Sequence, residues 1–260
     1  MINLKSEKEI EIMKRGGRIL AEVLFEVLDH VKPGVSELEI DALADELIRK
    51  KGAEPGFKRV AGWKHATCIS TNDVVVHGIP SNYCFQEGDI VGVDCGVFLE
   101  GFHTDMSETR RVSTSKNQKS NLNKDKDEID VFLEVGKRAL NEAITVAKAG
   151  NRIGHISKTI QDIVEKEAKY GITRSLIGHG VGRELHEEPE VPGYLTGKIE
   201  RTPLLRPGMT IAIEVIYNMG SREVVLDSDG WTIRTEDGSL SAVFERSVAI
   251  TQSGTVVLTA

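Results

Sequence analysis

The apolar positions of the first fifty residues fall into two helical stripes. Ile12, Ile19, Leu20, Val23 and Val27 recur on one face between residues 6 and 30, the period of an amphipathic helix. Ser6 followed by Glu9 has the spacing of a capping box, and Lys32-Pro33-Gly34 ends the segment. Ser36 caps a second helix, with Leu38, Ile40, Leu43, Leu47 and Ile48 as its stripe and Gly52 as its stop. From Ala66 to Val112 the texture changes to β-branched runs parted by turn residues. Residues 113–130 are polar and lack any apolar period, which predicts an exposed connection. Helical texture returns at 129–149 and 153–169, and strand texture then runs to the end.

The order helix, helix, strands therefore occurs twice. Gly16, Arg18, Leu20 and Glu22 match Gly136, Arg138, Leu140 and Glu142, and Gly88 before Asp94 matches Gly208 before Glu214 at the same offset. This predicts an α+β protein with one domain over 1–260. Its halves, 6–112 and 129–252, are joined by the polar connection 113–128, and a carboxylate lies at the same place in each.

Composition narrows the function. The 260 residues carry 40 Asp and Glu against 33 Lys and Arg, a formal charge of -7, which speaks against a phosphate-binding footprint for nucleic acid. With 40% hydrophobic residues the chain can bury a sizeable core. No run approaches the ~18–20 consecutive apolar residues of a membrane span, and the first residues lack the apolar core of a signal peptide. Cys68, Cys84 and Cys95 are odd in number and form no C-x-x-C pair. They fit a reducing compartment, so a cytoplasmic protein is expected.

Four carboxylates and one histidine are candidates for chemistry. Asp94 interrupts Ile90-Val91-Gly92-Val93-Asp94-Cys95-Gly96-Val97, an otherwise buried strand, where an unpaired carboxylate is costly. A two-residue turn at Glu100-Gly101 would set Leu99 opposite Phe102 and Asp94 opposite Ser107. Asp105 then becomes a diagonal neighbour of Asp94 roughly 7–8 Å away on the same face. Glu214 and Glu245 sit in apolar runs, Ile211-Ala212-Ile213 and Ala242-Val243-Phe244, and His179 stands among Gly178, Gly180 and Gly182. Four carboxylates are balanced by two divalent cations, and oxygen-rich ligation with one imidazole suits Mn, Fe or Co. Such a pair of metals performs hydrolysis. His77 and His186 share a His-x-x-Pro flank and could donate to a developing oxyanion. His30, His65 and His155 read as surface or structural residues, and His103 as one standing behind the site.

Taken in order, these segments resemble one family. They are Asn72-Asp73-Val74-Val75-Val76-His77-Gly78-Ile79-Pro80, Gly88 to Asp94, Gly101-Phe102-His103-Thr104-Asp105, Gly178 to Pro189, Leu205 to Glu214, Asp229-Gly230-Trp231-Thr232 and Ser241 to Glu245. The chain resembles the methionine aminopeptidases of the short bacterial type (type I), which have the pita-bread fold. The resemblance spans nearly the whole sequence. It implies metal ligation by Asp94, Asp105, His179, Glu214 and Glu245, with two divalent ions (Co, Mn, Fe, Zn or Ni). It further implies that a bridging hydroxide attacks the first peptide bond, that Glu214 shuttles the proton, and that His77 and His186 steady substrate and intermediate. Cys68, Trp231, Phe57 and Trp63 would receive the methionine side chain. The implied partner is the N-terminal peptide of a nascent chain, met transiently at the ribosome, with a monomeric enzyme acting on it.

The sequence also departs from the family. Arg59-Val60-Ala61-Gly62-Trp63-Lys64 stands where Gly-Tyr-x-Gly-Tyr/Phe-Pro is usual. Val215 stands where Pro usually follows the ligand Glu, and Arg246-Ser247 replaces His-Thr after Glu245. All five expected ligands are kept, so the departures bear on side-chain selectivity and efficiency. Two other readings share the pattern: an X-Pro aminopeptidase or dipeptidase of the same fold, and a non-catalytic protein that binds peptides or ribosomes.

Overall fold

A computed structural model of the chain describes residues 2–113 and 127–260. The expected connection 113–128 lies outside the described residues except at its ends. The first half opens with helices α1 (Glu7–His30) and α2 (Glu37–Lys50). Both begin with capping boxes: the one read from the sequence at Ser6, and one at Ser36, which the sequence marked only as a cap. The Glu9 carboxylate accepts the Ser6 N–H at 2.8 Å, and the Glu39 carboxylate accepts that of Ser36 at 2.8 Å. Strands β1 (Glu54–Pro55), β2 (Thr67–Thr71), β3 (Val74–Val76), β4 (Ile90–Leu99) and β5 (Phe102–Arg111) follow.

In the second half α3 (Glu128–Val146), capped by Asp127, precedes α4 (Ile153–Gln161), whose continuation over Asp162–Glu167 widens into a π-helix. The 153–169 segment thus keeps its helical character with a looser final stretch. Strands β6 (Gly171–Ile172), β7 (Gly178–Gly180), β8 (Glu187–Val191) and β9 (Thr210–Asn218) come next. After them run β10 (Val224–Leu226), β11 (Ile233–Thr235), β12 (Ser241–Thr251) and β13 (Gly254–Val257).

The apolar stripes decide what packs on what. Leu20, Val23, Leu24 and Val27 of α1 bury against Val91, Val93, Val97 and Met106 of β4 and β5. Phe132 and Leu140 of α3, with Ile156 and Ile160 of α4, bury against Ile211, Ile213, Tyr217, Phe244 and Val248 of β9 and β12. Gly136 marks the tightest approach of α3. A Cβ there would stand 2.5 Å from the Phe244 ring and 2.6 Å from the Tyr217 hydroxyl.

Every strand pairing among the described residues is antiparallel. One sheet carries β4 between β5 and the β1/β2 edge; the larger runs β13-β12-β9-β7-β8. Glu100 and Gly101 form the β4–β5 turn with φ 48° and 91°, the left-handed pair of a type I′ turn. That turn gives the expected register, Leu99 opposite Phe102 and Asp94 opposite Ser107. Because β13 covers only Val248–Thr251 of β12, the stretch Ser241–Ser247 is open to β5. Hydroxyl groups join the two strands there. Ser247 Oγ accepts the Asp105 N–H (2.9 Å) and donates to the Asp105 carbonyl (2.8 Å). Thr109 Oγ1 does the same for Val243, at 3.0 and 2.7 Å.

The N-terminal segment is strapped to the second half at Gly208 and Glu187. The Lys5 N–H donates to the Gly208 carbonyl at 2.7 Å, and its ammonium meets Glu187 at 2.5 Å with both side chains at or below 5% exposure. Lys5→Ala would leave the Glu187 carboxylate buried and unpaired, at a cost of about 3–5 kcal/mol. Urea unfolding of the single variant should show that loss, and Lys5→Met with Glu187→Leu should recover most of it. A single variant as stable as the parent would refute the strap.

Candidate metal centre

Each half contributes two carboxylates, and the seam brings them together. Asp94 lies mid-β4, opposite Ser107 on one side and Cys68 of β2 on the other. Asp105 follows two residues further along β5. Glu214 of β9 stands directly opposite Glu245 of β12, a like-charge cross-strand pair that destabilises a sheet unless something neutralises it. His179 pairs with Ala212 on the next strand over. Its flanking glycines have a steric cause, since β7 is squeezed between β8 and β9. A Cβ on Gly178 would come within 2.5 Å of the Ala212 carbonyl, and one on Gly180 within 2.3 Å of the Glu188 carbonyl.

The electrostatics of the cluster favour a cation among its members. Side-chain donor atoms of Asp105, His179 and Glu245 lie within 4.8 Å of one another, and Asp94 Oδ1 and Glu245 Oε1 are buried with no hydrogen-bond partner among the described residues. Burial, then the charges of Asp105 and Glu214, push the Asp94 carboxyl well above the usual carboxylate range. Burial and Asp105 do the same to Glu214, and burial with Asp105, Glu214 and Asp94 to Glu245. Burial pushes Asp105 up to about 7.

Burial and the neighbouring His186 bring His179 down to about 4, so its ring is neutral at pH 7. Its Nδ1 lies 2.8 Å from the Gly180 carbonyl and must carry the proton to bond it. Nε2 is then left with a lone pair 3.5 Å from Glu214 Oε1 and 3.9 Å from Asp105 Oδ2. A lone pair facing two carboxylates is repulsive until a cation lies among them, and a carbonyl fixing the other ring nitrogen is the usual support for a metal-bound imidazole. The donor set therefore fits divalent metal.

These ligands form one end of a cavity of about 280 Å³. The other end is apolar: Phe57, Val60, Trp63, Cys68, Leu185 and Trp231 line it. The rings of Trp63 and Trp231 meet edge to face at 5.2 Å. Between the ends stand the two remaining histidines. His186 packs edge-on against His179, centroids 4.4 Å apart. His77 has φ 56°, a left-handed conformation unusual for a side-chain-bearing residue and frequent at functional sites. Both rings are accessible to solvent within the cleft. Desolvation by the cavity walls holds both imidazoles below their ordinary pKa, with His186 adding to the effect on His77.

All eleven residues singled out from sequence line this one cavity. Glu245 is not paired with its neighbour Arg246, whose guanidinium turns away to Glu108 (2.8 Å) and to the carbonyls of Ser107 and Glu245. His65 is structural, 3.0 Å from Asp41, and His103 opens onto a different cleft. Sequence reasoning missed Leu176, Ile177, Ile216 and Val243 of the lining. Ile216 and Val243 lie two residues from Glu214 and Glu245 on the same strand faces, a period-two signal that could have found them. Leu176 and Ile177 lie in an irregular stretch and offer no such signal.

A cavity with an oxygen-rich, imidazole-bearing metal site at one end and an apolar pocket at the other defines a metal-dependent hydrolase. Comparison with known proteins agrees: the profile of metallopeptidase family M24 matches residues 11–252, and the chain belongs to that family. It is 41% identical to a methionine aminopeptidase of Clostridium perfringens over 100% of this chain and 99% of the relative. Methionine aminopeptidase 1 of Bacillus subtilis is 40% identical at the same coverage. The crystal structure of a Thermotoga maritima methionine aminopeptidase superposes with a TM-score of 0.91 at 39% identity, covering 100% of this chain and 99% of that one. A prolidase of Pyrococcus furiosus, at 24% identity and TM-score 0.76 over 65% of its length, shares the fold. The architecture is thus the α+β pita-bread fold expected from the sequence.

Metal removal gives a pH-dependent test. Without cations the folded protein holds its four carboxylates at raised pKa. The stability this contributes is full below the ordinary carboxylate pKa of about 4 and is lost as pH rises through the folded values. Chelation should therefore lower Tm more at pH 8 than at pH 6, while the metal-loaded protein lacks this loss. An equal effect of chelation at both pH values would contradict the cluster.

Proposed function

We propose that the protein is a methionyl aminopeptidase that removes the initiator methionine from new chains with a small second residue. The observation that carries this reading is the single cavity itself, in which a divalent-metal site closes one end and a pocket sized for one apolar side chain closes the other. Asp94, Asp105, His179, Glu214 and Glu245 would hold two divalent ions, since that number balances four carboxylates. Their identity among Co, Mn, Fe, Zn and Ni would follow cellular supply. The bound metals supply Lewis acidity, which polarises the scissile carbonyl and acidifies water.

The chain's own side chains do the rest. Phe57, Trp63, Cys68 and Trp231 enclose the methionine side chain and exclude water from it. A substrate so seated brings its free amine to the carboxylates and its first carbonyl between His77 and His186. Both imidazoles are neutral at pH 7, so each can donate one N–H, His186 to the developing oxyanion and His77 to the following stretch of backbone. The Glu214 carboxylate, at the wall of the cavity where the water would sit, takes a proton from the attacking water and returns it to the leaving amine. Such an enzyme would work in the cytoplasm on nascent N-termini, as a monomer that meets the ribosome transiently. Among the described residues no helix is long and apolar enough to cross a membrane.

The metal-loaded protein should release free methionine from Met-Ala-Ser and leave Ala-Pro peptides uncut; the reverse pattern would favour the X-Pro reading. His186→Ala should lower kcat by about 10²–10³, the cost of one oxyanion donor, with metal affinity by calorimetry unchanged. Asp105→Ala should instead weaken metal binding itself, by at least the roughly 10–100-fold known for loss of an outer-shell partner. A His186 variant that loses its metals would show the roles to be misassigned.

A further inference from the structure

A second cleft adjoins the first across a shared wall of Val60, Leu185 and His186. It begins where a chain bound at His186 would leave the metal site. In its lining is His103, 4% exposed, whose Nδ1 has no hydrogen-bond partner among the described residues. An imidazole nitrogen buried in this way is costly unless a ligand group completes it.

Two arginines line the same cleft, each laid on an aromatic ring. The Arg59 guanidinium lies 3.8 Å over Phe98, and that of Arg183 lies 4.6 Å over Phe102. Both rings belong to the tip of the β4–β5 hairpin, the element that carries Asp94 and Asp105 nearer the seam. Stacking fixes the guanidinium planes. Among the described residues each makes a single carboxylate bond through one nitrogen, Arg59 to Glu54 at 3.0 Å and Arg183 to Glu9 at 2.7 Å, which leaves further N–H donors for a ligand. The other cations of the lining, Arg49 and Lys58, are committed to Asp45, and Glu54 and Glu184 are its acids. Within the lining itself four cations face two acids, Asp45 and Glu9 balance the remainder from outside it, and the guanidinium planes of Arg59 and Arg183 are set in advance. Arg59 is also one of the residues that depart from the family pattern.

We propose that this cleft receives the substrate chain beyond its second residue, and that Arg59 and Arg183 make the enzyme prefer acidic side chains at the third to fifth positions. His103 takes a backbone group of the same stretch. The inference rests on the aminopeptidase reading and concerns how the rest of the substrate is recognised.

The test compares kcat/KM of the metal-loaded protein for Met-Ala-Glu-Glu-Ser-Gly and Met-Ala-Lys-Lys-Ser-Gly. The acidic peptide should be favoured by about 5–30-fold at low salt, the range expected when two exposed charge pairs are exchanged for two like-charge contacts. The ratio should shrink as ionic strength rises. The double variant Arg59→Glu/Arg183→Glu should invert it. Arg59→Gln, which keeps a planar side chain over Phe98, should lower it by about threefold, so the test survives a failure of the double variant to fold. A ratio within twofold of one in the parent protein, or one unchanged by these substitutions, overturns the inference while methionine release from Met-Ala-Ser stands. No release from Met-Ala-Ser would overturn the aminopeptidase reading and this inference with it.

Discussion

Four carboxylates crowd into one seam of this fold with no side-chain cation among them. Glu214 and Glu245 stand opposite each other in a ladder, Asp94 and Asp105 share a face of the neighbouring hairpin, and burial raises the pKa of all four, with the neighbouring carboxylates adding to the rise at Asp94, Glu214 and Glu245. Arginine could have neutralised them, and Arg246 is adjacent, yet its guanidinium is held on the far side by Glu108 and two carbonyls. Lys137 adds a second ion pair to Glu108 at 3.1 Å. Arg246 and Lys137 are thus kept occupied behind the seam by Glu108, which leaves the charge inside it to be balanced by something other than these side chains.

Holding such a cluster requires a rigid frame, because like charges push strands apart. The frame is built without a continuous backbone ladder between β5 and β12. Instead a hydroxyl from each strand straddles one residue of the other, Ser247 over Asp105 and Thr109 over Val243. The Ser247 N–H is itself anchored to Thr259 Oγ1 at 3.1 Å, so the chain's final residues brace the ligand strand. Lys5 and Glu187 do the equivalent for the loop bearing His186. Helices α1 and α3 back the two sheets through their apolar stripes, and their burial offsets the electrostatic cost at the centre.

What the sequence made legible follows from how local each determinant is. The capping box at Ser6, the cap at Ser36 and the register of the β4–β5 hairpin are fixed by residues a few positions apart, and all three were read correctly. The carboxylates of the cluster were legible because a carboxylate in an apolar strand is anomalous on its face. The strap from Lys5 to Glu187, the hydroxyl bridges and the lining by Leu176 and Ile177 depend on contacts between distant segments. No periodicity encodes those. His103 shows the limit well: it shares a hairpin face with Asp105, but side-chain direction within the folded hairpin placed it in the neighbouring cleft.

The departures from the family pattern can now be weighed by position. Val215 is fully buried within the second core, so its effect is one of packing beside Glu214. Arg246 works behind the ligands, where it ties β5 to β12 through the carbonyls of Ser107 and Glu245. Val60 and Trp63, by contrast, form the wall of the apolar pocket, and Arg59 faces the adjoining cleft. A change that alternates between the two clefts within five residues leaves the reacting centre intact and alters both neighbours of the scissile bond. The carboxylate cluster is therefore held by the seam, whereas the walls of the two clefts are set by a short segment outside it that can vary without disturbing the charge cluster.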